Sequence, residues 1–168
     1  FNGAAQDTML REEAWRFVHL GTMLERADNT ARLLDVRHHL LTSGGEGGVD
    51  YVHWQAALRS VSALRAYHWV YHDRLDPRRI VELLTLRPEL PRSLIACYAA
   101  VVELLDGIAL AQGGRRGECH RLAGEIHARL RFGRLDAIFE QGLHEFLTHI
   151  ITRTAELGGE IERFYIRA

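Results

Sequence analysis

The segment Leu24-Glu-Arg-Ala-Asp-Asn-Thr-Ala-Arg-Leu-Leu-Asp-Val-Arg-His-His39 carries the densest set of side chains that could do chemistry. On a helical wheel at about 100° per residue, Glu25, Asp28, Arg32 and His39 fall in one polar stripe. Phe17 and Leu24 flank it on one side, Val18 and Val36 on the other. Partly buried charges are costly unless paired. Asp28 and Arg32 stand at i, i+4 with the acid first, the favourable order, and Glu25 lies two turns from Arg32 on the same face. Two readings stay open. The stripe is a self-satisfied ion-pair ladder that sets helix register, or it lines a polar pocket between helices in which Glu25, Asp28 and Arg32 hold a ligand or another protein. In the second case the carboxylates are candidates for acid–base work. Arg26 points elsewhere, toward Trp15 and Leu33, where its stem would pack over the indole as a cation–π pair.

The remaining chemistry is thinner. Ten histidines invite a search for a metal site. His68 and His72 have the i, i+4 spacing that can hold one ion, but His-Trp-Val-Tyr-His lacks the glutamate of a zincin. His149 follows His144 by five residues, the wrong spacing, and the Glu-x-x-His pairs of di-iron bundles are missing. No metal and no cofactor is therefore expected. Cys97 and Cys119 lie in no CxxC and read as small buried thiols of a reduced, cytoplasmic protein. Arg92-Ser93 opens a helix after Pro91, where free N–H groups could meet an anion, although plain capping by Ser93 is the simpler role. All 21 basic residues are arginine. That excludes any lysine chemistry: no Schiff base, no P-loop lysine, no pyridoxal phosphate site.

These side chains need helices to position them, and the sequence has helical periodicity throughout, with only three prolines. The first helix starts near Asp7-Thr8, a plausible cap, and runs to about Leu41. A glycine-rich loop, 42–50, follows, with Asp50 capping a second helix over 51–74. On that helix Trp54, Leu58, Val61, Leu64 and Trp69 share one side. Asp76-Pro77 caps and starts a third helix to about Leu86. Pro91 starts a fourth, whose Leu94, Tyr98, Val101, Leu105 and Ile108 follow the i, i+4, i+7 pattern. Helices five and six cover about 118–132 and 134–164, the last weakened at Gly158-Gly159. The expected architecture is all-α, a compact antiparallel bundle of about six helices in a single domain over 1–168.

At 168 residues such a domain can bury about 70% of the unfolded surface, so it needs neither metal nor disulfide. The net charge of −1 gives no bulk attraction to nucleic acid or an anionic membrane. No apolar run reaches 18 residues, so no transmembrane helix is expected.

Several motifs together resemble the alpha-E domain family of bacterial all-α domains, named for a Glu-Arg motif. They are Thr8-Met-Leu-Arg, Trp15-Arg-Phe17, Leu20-Gly21 and Leu24-Glu-Arg-Ala-Asp28, with Glu25-Arg26 as the Glu-Arg pair. Leu34-Asp35-Val36-Arg37, His39, Trp54, Leu58-Arg59-Ser60, Tyr67, Pro91-Arg92-Ser93, Cys97 and Gly142-Leu143-His144-Glu145 continue the likeness over nearly the whole chain. Ligand- or partner-binding candidates are therefore Glu25, Arg26, Asp28, Arg32, Asp35, His39, Trp54, Arg59, Arg92 and His144. The resemblance implies a longer protein with an earlier Glu-Arg helix, of which this chain, beginning at Phe1, would be the C-terminal part. It also implies association with an ATP-grasp-like ligase and a transglutaminase-like protease in a peptide-modifying or peptide-ligating system. The leading expectation is a binding or accessory module for such a ligase. The alternatives are an enzyme acting on peptides or amides through Glu25 or Asp28 with Arg32, and a purely structural oligomeric bundle.

Overall fold

Four long helices close a ring around one core. They are α1 (Glu13–Thr42), α5 (Leu94–Ala111), α6 (Glu118–Arg131) and α8 (Leu143–Ile161). A computed structural model describes residues 13–42 and 47–167, apart from the side chains of 13, 39–42 and 47–50. Helix α1 packs on α5 and α8, and α6 packs on the same two from the other side. Side-chain bonds give the directions. Arg16 reaches the Gly107 carbonyl while Thr30 reaches that of Arg92, so α1 and α5 run antiparallel. Asp35 meets His144 and Phe17 meets Tyr165, so α1 and α8 are antiparallel too. Glu125 binds Arg153 and Arg129 lies over the Phe146 ring, which sets α6 antiparallel to α8. Every neighbouring pair in the ring is thus antiparallel, as the sequence leads one to expect.

The other helices are α2 (Gly47–Ser60), α3 (Leu64–Tyr71), α4 (Pro77–Leu86) and α7 (Leu135–Gln141). Helix α4 begins as predicted: Asp76 Oδ1 accepts the Arg79 N–H at 2.9 Å, and Pro77 takes the first position. Its Ile80, Val81, Leu83 and Leu84 are all buried.

Four boundaries differ from the sequence expectation. Asp50 lies inside α2 rather than capping it. Pro91 precedes α5, which Ser93 caps through the Ala96 N–H at 3.2 Å. The helix expected over 51–74 breaks at Ser62, whose φ is +57°. Val61 and Ala63 on either side of the break are both buried. The break moves Trp69 off the buried face, leaving it 73% exposed, and gives the inward place to Tyr67. The break also puts His72 past the end of α3, as its left-handed cap, so His68 and His72 no longer share a regular helical face.

The expected last helix divides at Gly142. Its φ of +104° suits a glycine, and its N–H closes α7 on Ile138 while its carbonyl receives Phe146 N–H to open α8. Helix α8 then continues through Gly158-Gly159, and a π-helical turn over Glu162–Ile166 ends the fold. Among the described residues the bundle therefore has eight α-helices rather than about six. The cap expected at Asp7-Thr8 and part of the glycine-rich loop lie outside the described residues.

In helix α5 Glu103 and Asp106 keep the unbroken apolar run short of 18 residues, as expected. By length and composition it alone among the described helices could cross a membrane. In the bundle it is the core helix, with Leu94, Cys97, Tyr98, Val101, Leu105, Ile108 and Ala109 buried against its neighbours.

Candidate functional site

Helix α1 places polar residues on its solvent edge, and they separate into three groups. The first is a depression of about 240 Å³ lined by Thr22, Glu25, Arg26, Asn29 and Arg92. Thr22, Glu25, Arg26 and Asn29 stand at i, i+3, i+4 and i+7, one continuous helical face. The start of α5 supplies Arg92 opposite them. Two contacts fix the register of these walls. Thr30 Oγ1 donates to the Arg92 carbonyl at 3.0 Å, and Arg26 Nη1 reaches the Pro91 carbonyl at 3.5 Å. Arg26 thus lies beside Glu25 over the α5 start, not over the Trp15 indole; Trp15 stacks on His19 instead, ring centres 4.9 Å apart.

The second group is Asp28 with Arg32, paired at 2.7 Å. This is the ladder alternative, realised between these two residues. Arg32 is exposed, and neither residue lines the depression that holds Glu25. The outer flank of the stripe is also more open than the wheel suggests, with Val18 46% and Val36 66% exposed.

The third group joins helices. Asp35 Oδ1 lies 2.6 Å from His144 Nδ1 at the start of α8. The carboxylate, by its hydrogen bond and its charge, raises the His144 pKa above the usual imidazole value. A proton held more tightly in the fold than in the unfolded chain stabilises the fold where it is bound. That contribution is complete below about pH 6.5, the ordinary histidine value, and is lost as pH rises through the raised one. Urea midpoints of the native chain and His144→Ala should therefore differ most on the acidic side and converge in alkaline buffer. Asp35→Asn should abolish this dependence; a gap between native and His144→Ala that widens with rising pH would contradict the assignment.

Under the depression, burial pushes the Cys97 thiol up to about 11, against the opposing pull of Arg26 and Arg92. The thiol is fully buried and 3.8 Å from the Pro91 carbonyl, so it packs rather than reacts. Trp54 is likewise a core residue, 4% exposed. Arg59 is exposed in the last turn of α2 and lies outside the depression. The side chain of His39 lies outside the described residues. The structure therefore brings together Glu25, Arg26 and Arg92, and separately Asp28 with Arg32 and Asp35 with His144. Thr22 and Asn29 were missed as lining residues. Their signal was the i, i+3, i+4, i+7 spacing around Glu25-Arg26.

Comparison with known proteins adds one finding. Residues 1–166 match the Alpha-E model, described as a predicted alpha-helical domain with a conserved ER motif. That match lends no support to the expectation that the chain is only the C-terminal part of such a protein. No curated protein and no solved structure is detectably similar. The chain contains two Glu-Arg dipeptides, Glu25-Arg26 and Glu162-Arg163. The second is exposed in the terminal π turn, where Arg163 pairs with Glu160; the first lines the depression between α1 and the start of α5. All-helical, matched over nearly its whole length and carrying its Glu-Arg pair at a helix–helix seam, the chain belongs to the Alpha-E family.

Proposed function

We propose that the chain is a recognition module rather than a catalyst, and that the Glu25–Arg26–Arg92 depression is its binding surface. In this reading it serves a cytoplasmic peptide-modifying or peptide-ligating system. Its partner is an ATP-grasp-like ligase, with a transglutaminase-like protease acting in the same system. The observation that carries the reading is the convergence of the Glu-Arg pair of α1 and Arg92, from the turn that leads into α5, on one solvent-open polar depression. The enzymatic alternative needs Glu25 or Asp28 to share a pocket with a free Arg32, but Arg32 is tied to Asp28 outside the depression that holds Glu25.

Titration calorimetry of the full chain against a neighbouring ATP-grasp-like ligase tests the reading. Micromolar association is expected. Arg26→Ala with Arg92→Ala should weaken it at least tenfold, about 1.4 kcal/mol, while the melting temperature holds. Absence of binding at micromolar concentrations, or full-strength binding by the double variant, would refute it.

A further inference from the structure

The walls of the depression carry opposite charges that do not neutralise one another. The side chains of Glu25, Asn29 and Arg92 make no hydrogen bond and no ion pair among the described residues. Arg26 contributes only its long contact to the Pro91 carbonyl. Elsewhere on this surface Arg32, Arg78, Arg79, Arg116, Arg121 and Arg153 hold carboxylates within 3.0 Å. Glu25 faces the same space as two guanidiniums yet pairs with neither.

Such a gap suits a ligand that carries both charges itself. Two arginines and one glutamate give the lining a net charge of +1, which a ligand of net charge −1 complements. A volume of about 240 Å³ holds roughly eight water volumes at about 30 Å³ each, room for a molecule of about ten heavy atoms. Guanidiniums grip carboxylates in planar two-point fashion. A carboxylate such as that of Glu25, with an amide oxygen such as that of Asn29, accepts from an ammonium. Glu25 would repel a phosphate or a simple dicarboxylate, neither of which offers a compensating cation.

The geometry points to an acidic α-amino acid as the ligand of this depression. Arg26 and Arg92 bind its carboxylates and Glu25 with Asn29 binds its ammonium. This rests on reading the depression as a recognition surface and names what that surface recognises.

Calorimetry at low ionic strength, with L-glutamate and L-aspartate as probes, tests it. Saturable binding of at least one is expected. For the one that binds, the amide analogue, the analogue lacking the ammonium (glutarate or succinate) and inorganic phosphate should each bind at least tenfold more weakly. Arg92→Ala should lose tenfold or more. Glu25→Gln should shrink the preference for the amino acid over its dicarboxylate analogue, a change that a structural role for Glu25 would not produce. No saturable heat from either probe up to about 10 mM, a regime weaker than about −2.7 kcal/mol, would overturn the inference. So would phosphate or the dicarboxylate binding as well as the amino acid. Should the variants fail to fold, the ligand series on the unaltered chain still decides. Ligase association without amino-acid binding would remove this inference and leave the recognition reading standing. Loss of both would remove the reading itself.

Discussion

Tyr67→Ala is expected to destabilise the fold by about 3–5 kcal/mol, the range for removing a large buried ring. Tyr67 is fully buried and its ring lies 4.9 Å from that of Tyr71. Its hydroxyl also works in both directions. It donates to the Arg74 carbonyl at 2.9 Å and accepts the Asp76 N–H at 2.9 Å. Burial raises the phenol pKa, so the proton it donates stays in place. Asp76 in turn caps α4. One side chain therefore holds the turn from α3 to α4 from inside, and its loss leaves both a cavity and two backbone groups short of a partner. Tyr67→Phe keeps the ring and should cost about 1–3 kcal/mol. Urea midpoints of the two variants separate the contributions. A loss below about 1 kcal/mol for Tyr67→Ala, far under the usual cavity cost, would show that the turn is held elsewhere.

The role of Tyr67 also marks where the sequence stops being readable. Helix type was legible because apolar spacing repeats over many turns: Leu94, Tyr98, Val101, Leu105 and Ile108 were expected on one face and are all buried. Local caps were legible where their chemistry is local, as at Asp76-Pro77. The breaks at Ser62 and Gly142 were not. Neither proline nor glycine marks Ser62, and a left-handed conformation is not one that serine itself favours. Gly142 could have been a tolerated helix glycine, like Gly158 and Gly159, which do remain helical. Only its φ of +104° distinguishes it.

The site was half legible for a similar reason. A wheel gives angles on one helix but not the neighbour that each angle meets. It grouped Glu25 with Asp28 and Arg32 and sent Arg26 away. The structure sorts them by what α5 and α8 present. The start of α5 presents Arg92 and the Pro91 carbonyl to Glu25 and Arg26, whereas Asp35 meets the start of α8 at His144. The Asp28–Arg32 pair was predictable because both partners belong to one helix. Arg92 was singled out as the neighbour of a helix cap. Nothing in its local sequence says that it stands across from Glu25.

Ala27 converts this argument into a test, because it links the motif to the seam. It follows Glu25-Arg26 directly, and with Ala31 one turn on it is fully buried on the inner face of α1 beside Met23 and Leu34. Two alanines there let α1 lie close to the ring, and close approach is what brings Thr30 Oγ1 to the Arg92 carbonyl at 3.0 Å. Ala27→Leu adds three heavy atoms where packing leaves no room and should cost about 1–3 kcal/mol. Because the strain pushes α1 outward, it should also weaken ligand or partner binding at least tenfold in protein that remains folded, although Ala27 touches solvent nowhere. Ala27→Gly provides the contrast. It costs about 1 kcal/mol through helix propensity but leaves the seam unstrained, so binding should survive once the protein is folded. Denaturation midpoints and calorimetry on the two variants separate lost stability from lost geometry. Full binding by a folded Ala27→Leu would mean that the depression does not depend on the spacing of α1, because a buried residue of its inner face could then be enlarged without consequence for Arg26 and Arg92 on the two sides of the seam.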